Sequence, residues 1–394
     1  MKVMLVIPHV SGGGGEKVLS DLACNLRAEI VVVVFEEKFS YPIKGKLISL
    51  EAPINRASLI TRACGFIRRA LLFRRTLRKE KPDVVVSFMG EANFINALFS
   101  RRSILTVHTH MSSISTMRGR IEALAVNVLI RWLYRRSIVV AVSDAVKRDL
   151  VDRFGVPEYQ VVVIPNAVDV SKITSLARES AQCPWNPDLP VIVTTGRLSR
   201  EKAQWHLIRA FAEVRKSRPC QLVILGSGEL ENHLKRLAAD LDIENSVFFL
   251  GWQSNPFKFM ARGDVFVLTS VTESFGLAVL EAMVCRLPVI ATDCPGGSRE
   301  IIAGGVSGPC GVLVPVPDGV MYDGSVTCTT EERHLADQLG RMLDDKSARG
   351  RYIQAGLARV RDFDTSKFVD RYQRLLEVIA SAALFPLKIE SSIE

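Results

Sequence analysis

The stretch Val265-Phe-Val-Leu-Thr-Ser-Val-Thr-Glu273-Ser-Phe-Gly-Leu-Ala-Val-Leu-Glu281 decides the reading of this chain. Val265–Leu268 is short, apolar and β-branched, the pattern of a parallel strand buried on both faces. Leu277 to Cys285 is an apolar helical run. The spacing therefore puts Glu273 at the C-terminal end of a strand and Glu281 about two turns along the helix that follows. In open α/β sheets ligands bind at the carboxyl ends of the strands. Two acids held there at different heights can accept hydroxyls from two parts of one polyol. The helix N-terminus around Phe275, Gly276 and Leu277 adds backbone amides, which suit a phosphate.

The same alternation runs through most of the chain. Strands are predicted at Lys2–Ile7, Ile30–Phe35, Val84–Ser87, Ile104–Val107, Ile138–Ala141 and Val161–Ile164, then at Val191–Thr195, Leu222–Leu225, Val247–Leu250, Val265–Leu268, Val289–Ala291 and Val312–Val314. Helical patterns separate most of them. Strand–helix alternation means parallel sheets with helices on both faces. A Ser-, Pro- and Asn-containing break at 169–189, ending near Pro184-Trp-Asn-Pro187, divides the run. The expected plan is an α/β chain with one Rossmann-like domain over 1–168, a linker over 169–189, a second Rossmann-like domain over 190–365, and a last helix and tail over 366–394.

Bulk properties agree with two soluble domains. The chain has 394 residues, 48% of them hydrophobic, and a formal charge of +9. That length suits two cores, and the charge suits an anionic partner. The eight cysteines form no Cys-x-x-Cys pair and fall in core-like segments, as reduced thiols of a cytoplasmic protein would. The apolar start at Met1–Ile7 is too short for a secretory h-region and is followed at once by Pro8. No uninterrupted apolar run approaches the length of a membrane span, and Ile121–Val142 is broken by Arg131, Arg135 and Arg136.

Gly196-Arg-Leu-Ser-Arg-Glu-Lys202 follows the first strand of the second half. Arg197 and Lys202 thereby sit on a strand-to-helix loop at the same edge as Glu273. Two fixed cations there can neutralise a sugar diphosphate and hold the charge that builds as the diphosphate leaves. Gly12-Gly-Gly-Gly15 follows the first strand of the first half and lets backbone approach a ligand closely. It is neither a dinucleotide fingerprint nor a Walker loop; taken alone, it is equally a flexible turn. His108-Thr-His110 ends another strand, and without a third ligand nearby it is not a metal pair. Asp362-Phe-Asp364 lies between helical segments and is set aside as a metal motif. Arg56–Lys81 is a basic helical pattern in which Leu59, Ala63, Phe66, Ile67, Ala70, Leu71 and Leu77 recur at helical spacing. It fits a helix on an anionic bilayer or, equally, a packed helix with a charged outer face. Little aromatic interleaving and no recognised module speak against nucleic acid.

In this order the motifs resemble the retaining glycosyltransferases of family 4, with the GT-B fold of two Rossmann-like domains facing across a cleft. The resemblance is carried by Gly13-Gly-Gly-Glu-Lys, His108, Ile164-Pro-Asn-Ala-Val-Asp169, Gly196 to Lys202, Glu273 through Glu281 and Gly296-Gly-Ser-Arg-Glu300. It implies that Arg197 and Lys202 bind the donor diphosphate. It further implies that Glu273 holds donor-sugar hydroxyls, Glu281 the ribose, and amides of Phe275 to Leu277 sugar and phosphate. Gly13 and Gly14 would lie by the reacting centre, His108 would face the donor sugar, and the segment with Gln253 would bracket the base. The first domain would bind the acceptor, the second the nucleotide sugar, and the last helix would return to the first domain.

Arg197, Lys202, Glu273 and His108 are thus the expected catalytic groups, with no metal and no cofactor. The resemblance implies transfer of a hexose or N-acetylhexosamine from a UDP-sugar, or second from GDP-mannose. The acceptor would be a glycan or lipid-linked glycan in surface polysaccharide assembly, including capsule or lipopolysaccharide. The enzyme would be cytoplasmic, with a peripheral place on the inner membrane face through Arg56–Lys81. The rival readings are a nucleotide-sugar epimerase or phosphorylase of the same plan, and a non-catalytic sugar-nucleotide or membrane-binding protein. Three places depart from the commonest family pattern: Ala203 and Arg286 stand where glycine is frequent, and Gly297-Ser stands in place of a more usual Gly-x with Pro.

Overall fold

A computed structural model describes the chain except residues 11–13, 55–57, 110–119, 306–307 and 383–394. Gly12, Gly13, Arg56, His110 and the tail therefore lie outside the described residues.

The chain forms two compact units, one of 1–167 with 365–394, the other of 168–364. The described elements of the first begin with β1 (Lys2–Ile7), α1 (Gly14–Asn25), β2 (Glu29–Val34), β3 (Lys46–Ser49), α2 (Leu59–Glu80) and β4 (Val84–Phe88). They continue with α3 (Gly90–Phe99), β5 (Ser103–Val107), α4 (Arg120–Tyr134), β6 (Ile138–Ala141), α5 (Asp144–Arg148) and β7 (Val161–Val163). All strands pair in parallel, in the order β3-β2-β1-β4-β5-β6-β7. β1 shows why its sequence has no polar position after Lys2. Val3, Leu5 and Ile7 enter one core, while Met4 and Val6 enter the other with Phe73 of α2 and Ile95 of α3. Each such side chain contributes roughly 1.5–3 kcal/mol on burial.

Among the described residues, β3 is the one strand that sequence pattern misses. Lys46-Leu-Ile-Ser49 is a short, half-exposed edge strand, so it lacks the apolar run that marks its neighbours.

The second unit contains α6 (Val170–Ala177), β8 (Val191–Thr195), α7 (Gln204–Arg215), β9 (Gln221–Leu225), α8 (Glu231–Asp240), β10 (Val247–Gly251), α9 (Phe257–Met260) and β11 (Val265–Leu268). It closes with α10 (Leu277–Val284), β12 (Val289–Thr292), α11 (Gly297–Ala303), β13 (Val312–Val314), α12 (Thr330–Asp344) and α13 (Lys346–Val360). Its sheet is also parallel, in the order β10-β9-β8-β11-β12-β13. The stretch 169–189 packs as part of this unit. α6 lies against α9 and α10, Trp185 against Phe248 and Phe259, and Asn186 exchanges hydrogen bonds with Gln221. Its turn-rich composition hides that packing. The last helix, α14 (Thr365–Ser381), buries Phe368, Tyr372, Leu375 and Leu376 in the first unit's core and packs on α1.

Candidate active site

In the second unit, the loops after β8, β11 and β12 meet at the C-terminal edge of the sheet. Hydrogen bonds to the backbone join the first pair: Thr269 Oγ1 donates to the Lys202 carbonyl at 3.1 Å and to that of Ala203 at 3.3 Å, and Val271 N to the Glu201 carbonyl at 2.9 Å. The third loop is pressed onto the second. A side chain at Gly296, whose φ is +147°, would overlap the Glu273 carbonyl, so only glycine fits there.

This convergence makes Lys202 Nζ donate to Glu273 Oε2, across 71 residues of sequence. Ser270 Oγ also donates to that carboxylate oxygen, at 3.3 Å, so the buried Ser270 helps to orient the acid. The stem of Lys202 lies over Gly196. Arg197 stands exposed on the same loop. Glu201 is a member that sequence reading passed over. A Ser199 hydrogen bond holds its carboxyl below the usual range against burial, and the charges of Arg197 and Lys202 add to this. The site thus alternates acids and cations.

Gly276 starts α10 in the left-handed region (φ +93°), and no side chain caps that helix. The amide-bearing end of the helix therefore adjoins the Glu273 loop. Beside it lies Ser298, fully buried, whose hydroxyl has no partner among the described residues. A methyl group at Gly276 would sit 2.5 Å from that oxygen. Ser298 belongs to the motif Gly296-Gly-Ser-Arg-Glu300, but its buried hydroxyl becomes visible only in the fold. Glu281 lies half-buried on the second turn of α10. Gln253 follows β10, and its amide donates to the Leu250 carbonyl at 2.6 Å, so the side chain closes its own turn.

Cys294 lies buried near Glu273. Burial, with that carboxylate's charge added, pushes its thiol up to about 11. It stays protonated at neutral pH and is a poor nucleophile.

In the first unit, His108 follows β5 and stacks on Phe88, ring centroids 6.0 Å apart. Its Cδ2 approaches Gly15, which places it beside the start of α1 and the exposed Gly14. Neither ring nitrogen has a partner among the described residues, and burial lowers the imidazole to about 4. His108 is neutral at physiological pH, able to donate one hydrogen bond and accept another.

The ordered motifs match known families. The family model described as "Glycosyltransferase Family 4" matches residues 12–172, and that described as "Glycosyl transferases group 1" matches residues 177–359. The chain belongs to the family 4 type of glycosyltransferases. Among its relatives is the N-acetylgalactosamine-N,N'-diacetylbacillosaminyl-diphospho-undecaprenol 4-alpha-N-acetylgalactosaminyltransferase of Campylobacter jejuni. It is 27% identical over 374 residues, covering 93% of this chain and 96% of that protein. An uncharacterised glycosyltransferase of Methanocaldococcus jannaschii is 28% identical over 338 residues, covering 79% of this chain and 83% of its own length. The crystal structure of Anabaena HepE in complex with UDP and glucose superposes with a TM-score of 0.74 at 22% identity, covering 96% of this chain and 99% of that one. The glycosyltransferase described here has the GT-B fold.

Two of the departures from family pattern acquire physical meaning. Ala203 (φ +48°) and Arg286 (φ +64°) both occupy left-handed positions, where glycine is the unstrained residue. Ala203 is the N-cap of α7, and Arg286 follows the C-terminus of α10. Neither change displaces a proposed ligand group.

Proposed function

We infer that this glycosyltransferase moves a hexose or N-acetylhexosamine from a nucleotide-diphosphate sugar to a glycan or lipid-linked glycan, with retention of anomeric configuration. A UDP-sugar is the first donor and GDP-mannose the second. The observation that carries the reading is the meeting of Lys202 and Glu273 beside the uncapped start of α10. A cation and helix amides there suit a diphosphate, and an adjacent carboxylate suits sugar hydroxyls.

In this mechanism charge builds on the leaving diphosphate as the glycosidic bond breaks. Arg197, Lys202 and the amides of Phe275, Gly276 and Leu277 stabilise it, in the place a metal ion would otherwise take. Glu273 exchanges Lys202 for hydroxyls of the donor sugar, and Glu281 takes those of the ribose. The acceptor hydroxyl attacks from the face the diphosphate leaves, and the departing phosphate takes its proton. His108 and the loop with Gly14 position the reacting sugar. The first unit takes the acceptor and the second the nucleotide sugar.

The UDP complexes of the Anabaena neighbour support the donor class, and the diphospho-undecaprenol substrate in the Campylobacter relative's name supports a lipid-linked acceptor. A role in cell-surface polysaccharide assembly follows from that acceptor. The test is thermal stabilisation by a panel of UDP-sugars and GDP-mannose, followed by NMR of the product's anomeric centre. A true donor at a hundred times its Kd adds about 2.7 kcal/mol to stability. No stabilisation by any of them, or an inverted product, would refute the assignment.

A further inference from the structure

The sequence suggests one apolar stripe on α2, but the structure splits it. Phe66, Ala70, Phe73 and Leu77 face the core. Ile60, Ile67 and Leu71 lie on the outside, 77%, 57% and 59% exposed. They follow one another at helical spacing along a single outer line. Arg62, Arg68, Arg74, Arg75, Arg78 and Lys79 are exposed on the same helix. Arg69 does not belong with them: it is buried, bonded to Glu91 and to the carbonyls of Ala52 and Pro53.

The outer line does not end with α2. α3 packs against both α2 and α4, and Phe94 of α3 meets Tyr134 of α4. The three helices therefore form one layer, and their outer sides share one face. α3 adds the exposed Leu98. α4 adds Val128, Leu129 and Trp132, the first 61% and the last 50% exposed. Arg131, Arg135 and Arg136 surround them, with the Arg136 guanidinium 4.2 Å from the Trp132 ring. Among the side chains described on these helices, those at 59 and 120–126 being outside them, no carboxylate is exposed: Glu80 is buried and Glu91 is half-buried against Arg69.

Isoleucines, leucines and a tryptophan ringed by arginines, with no exposed acid among the described side chains, are costly against water and repelled by a basic surface. They suit the headgroup region of an anionic bilayer, where apolar side chains enter the acyl boundary and guanidinium groups meet phosphates. We propose that the outer face of α2, α3 and α4 is a docking surface for an anionic lipid bilayer. It extends the reading of a lipid-linked acceptor by naming the side on which the enzyme stands, and it involves residues of two helices beyond the basic segment seen in sequence.

The test is flotation of the full chain with phosphatidylcholine vesicles containing about one third phosphatidylglycerol, and with pure phosphatidylcholine vesicles. The wild type floats with the anionic vesicles at low salt and releases as salt rises. The variant R75E/R78E/R135E partitions at least a hundred-fold less, at about five-fold per lost cation. The variant I67S/L71S also loses flotation while keeping its melting temperature, since both side chains already face water. R215E/K216E, in the other unit, floats as the wild type does. Wild-type protein that stays unbound at low salt, or face variants that float like it, would overturn the proposal. So would a dimer that I67S/L71S dissolves, which would give the face to a second copy. Donor-induced thermal stabilisation, measured without vesicles, reads the donor assignment separately. A protein that floats but recognises no donor sinks only the latter.

Discussion

Two ion pairs in the second unit use the same chemistry to different ends. Arg209 and Glu332 are both buried, and every polar nitrogen of the arginine has an acceptor. Its partners are the Glu332 carboxylate and the carbonyls of Asp323, Val326 and Thr327. Glu332 in turn accepts from His206 at 2.7 Å and from the Thr329 amide at 2.9 Å. Burial pushes that carboxyl upward, but the hydrogen bonds from His206 and Arg209 prevail and hold it below the usual range. The network pins the long connection between β13 and α12. Lys202 and Glu273 also pair, but both reach solvent, and their other neighbours are loop termini. A saturated buried pair builds scaffold. A part-exposed pair beside a helix N-terminus can trade its partners for a ligand's.

The strongest way to break this contrast is Arg209→Met. It strands the Glu332 carboxylate in the core and is expected to cost about 3–5 kcal/mol in urea unfolding. Donor recognition by the folded fraction should persist; a stable variant would mean the network is dispensable. Lys202→Ala should do the reverse. Turnover at saturating donor falls about a hundred- to a thousand-fold, while stability changes by about 1 kcal/mol or less. Full activity in that variant removes Lys202 from the mechanism.

His108 supplies an intermediate case, a buried titratable ring with no polar partner among the described residues. Its folded value, about 4, lies below the ordinary 6.5. As pH falls from 6.5 towards 4 the unfolded chain takes up a proton that the folded chain refuses. Stability therefore declines through that window, by roughly 2–3 kcal/mol for this group. His108→Gln should flatten that part of the stability profile; an identical acid slope would show that the ring is not held neutral.

The smallest effects sharpen the local backbone reading. Ala203→Gly and Arg286→Gly should each raise stability by a few tenths to about 1 kcal/mol by relieving left-handed strain. A loss of stability in either would show that side-chain packing there outweighs the strain.

Sequence pattern located most strands because strands buried on both faces leave almost no polar positions, as in β1 beyond Lys2 and in β11. It missed β3 because an edge strand obeys no such constraint. Within the site, Arg197, Lys202, Glu273 and Gly276 were legible because each sits where a strand meets a helix, at a sheet edge built to hold ligands. Ser270, Glu201 and Ser298 were not, since a serine or an extra acid carries no periodicity.

The sequence by itself therefore determined the class of fold, the position of the motifs at strand ends, and the charges available there. Tertiary structure decided which charges meet. Only the close approach of the 196–202, 270–276 and 296–298 loops separates Lys202–Glu273 from Arg209–Glu332. Likewise only the packing of α3 between α2 and α4 turns Ile67, Leu71 and Trp132 outward on a shared face. Periodicity along a chain fixes which residues can share a surface. Which surface meets the core, and which meets water, is settled by the neighbours that arrive from elsewhere in the fold.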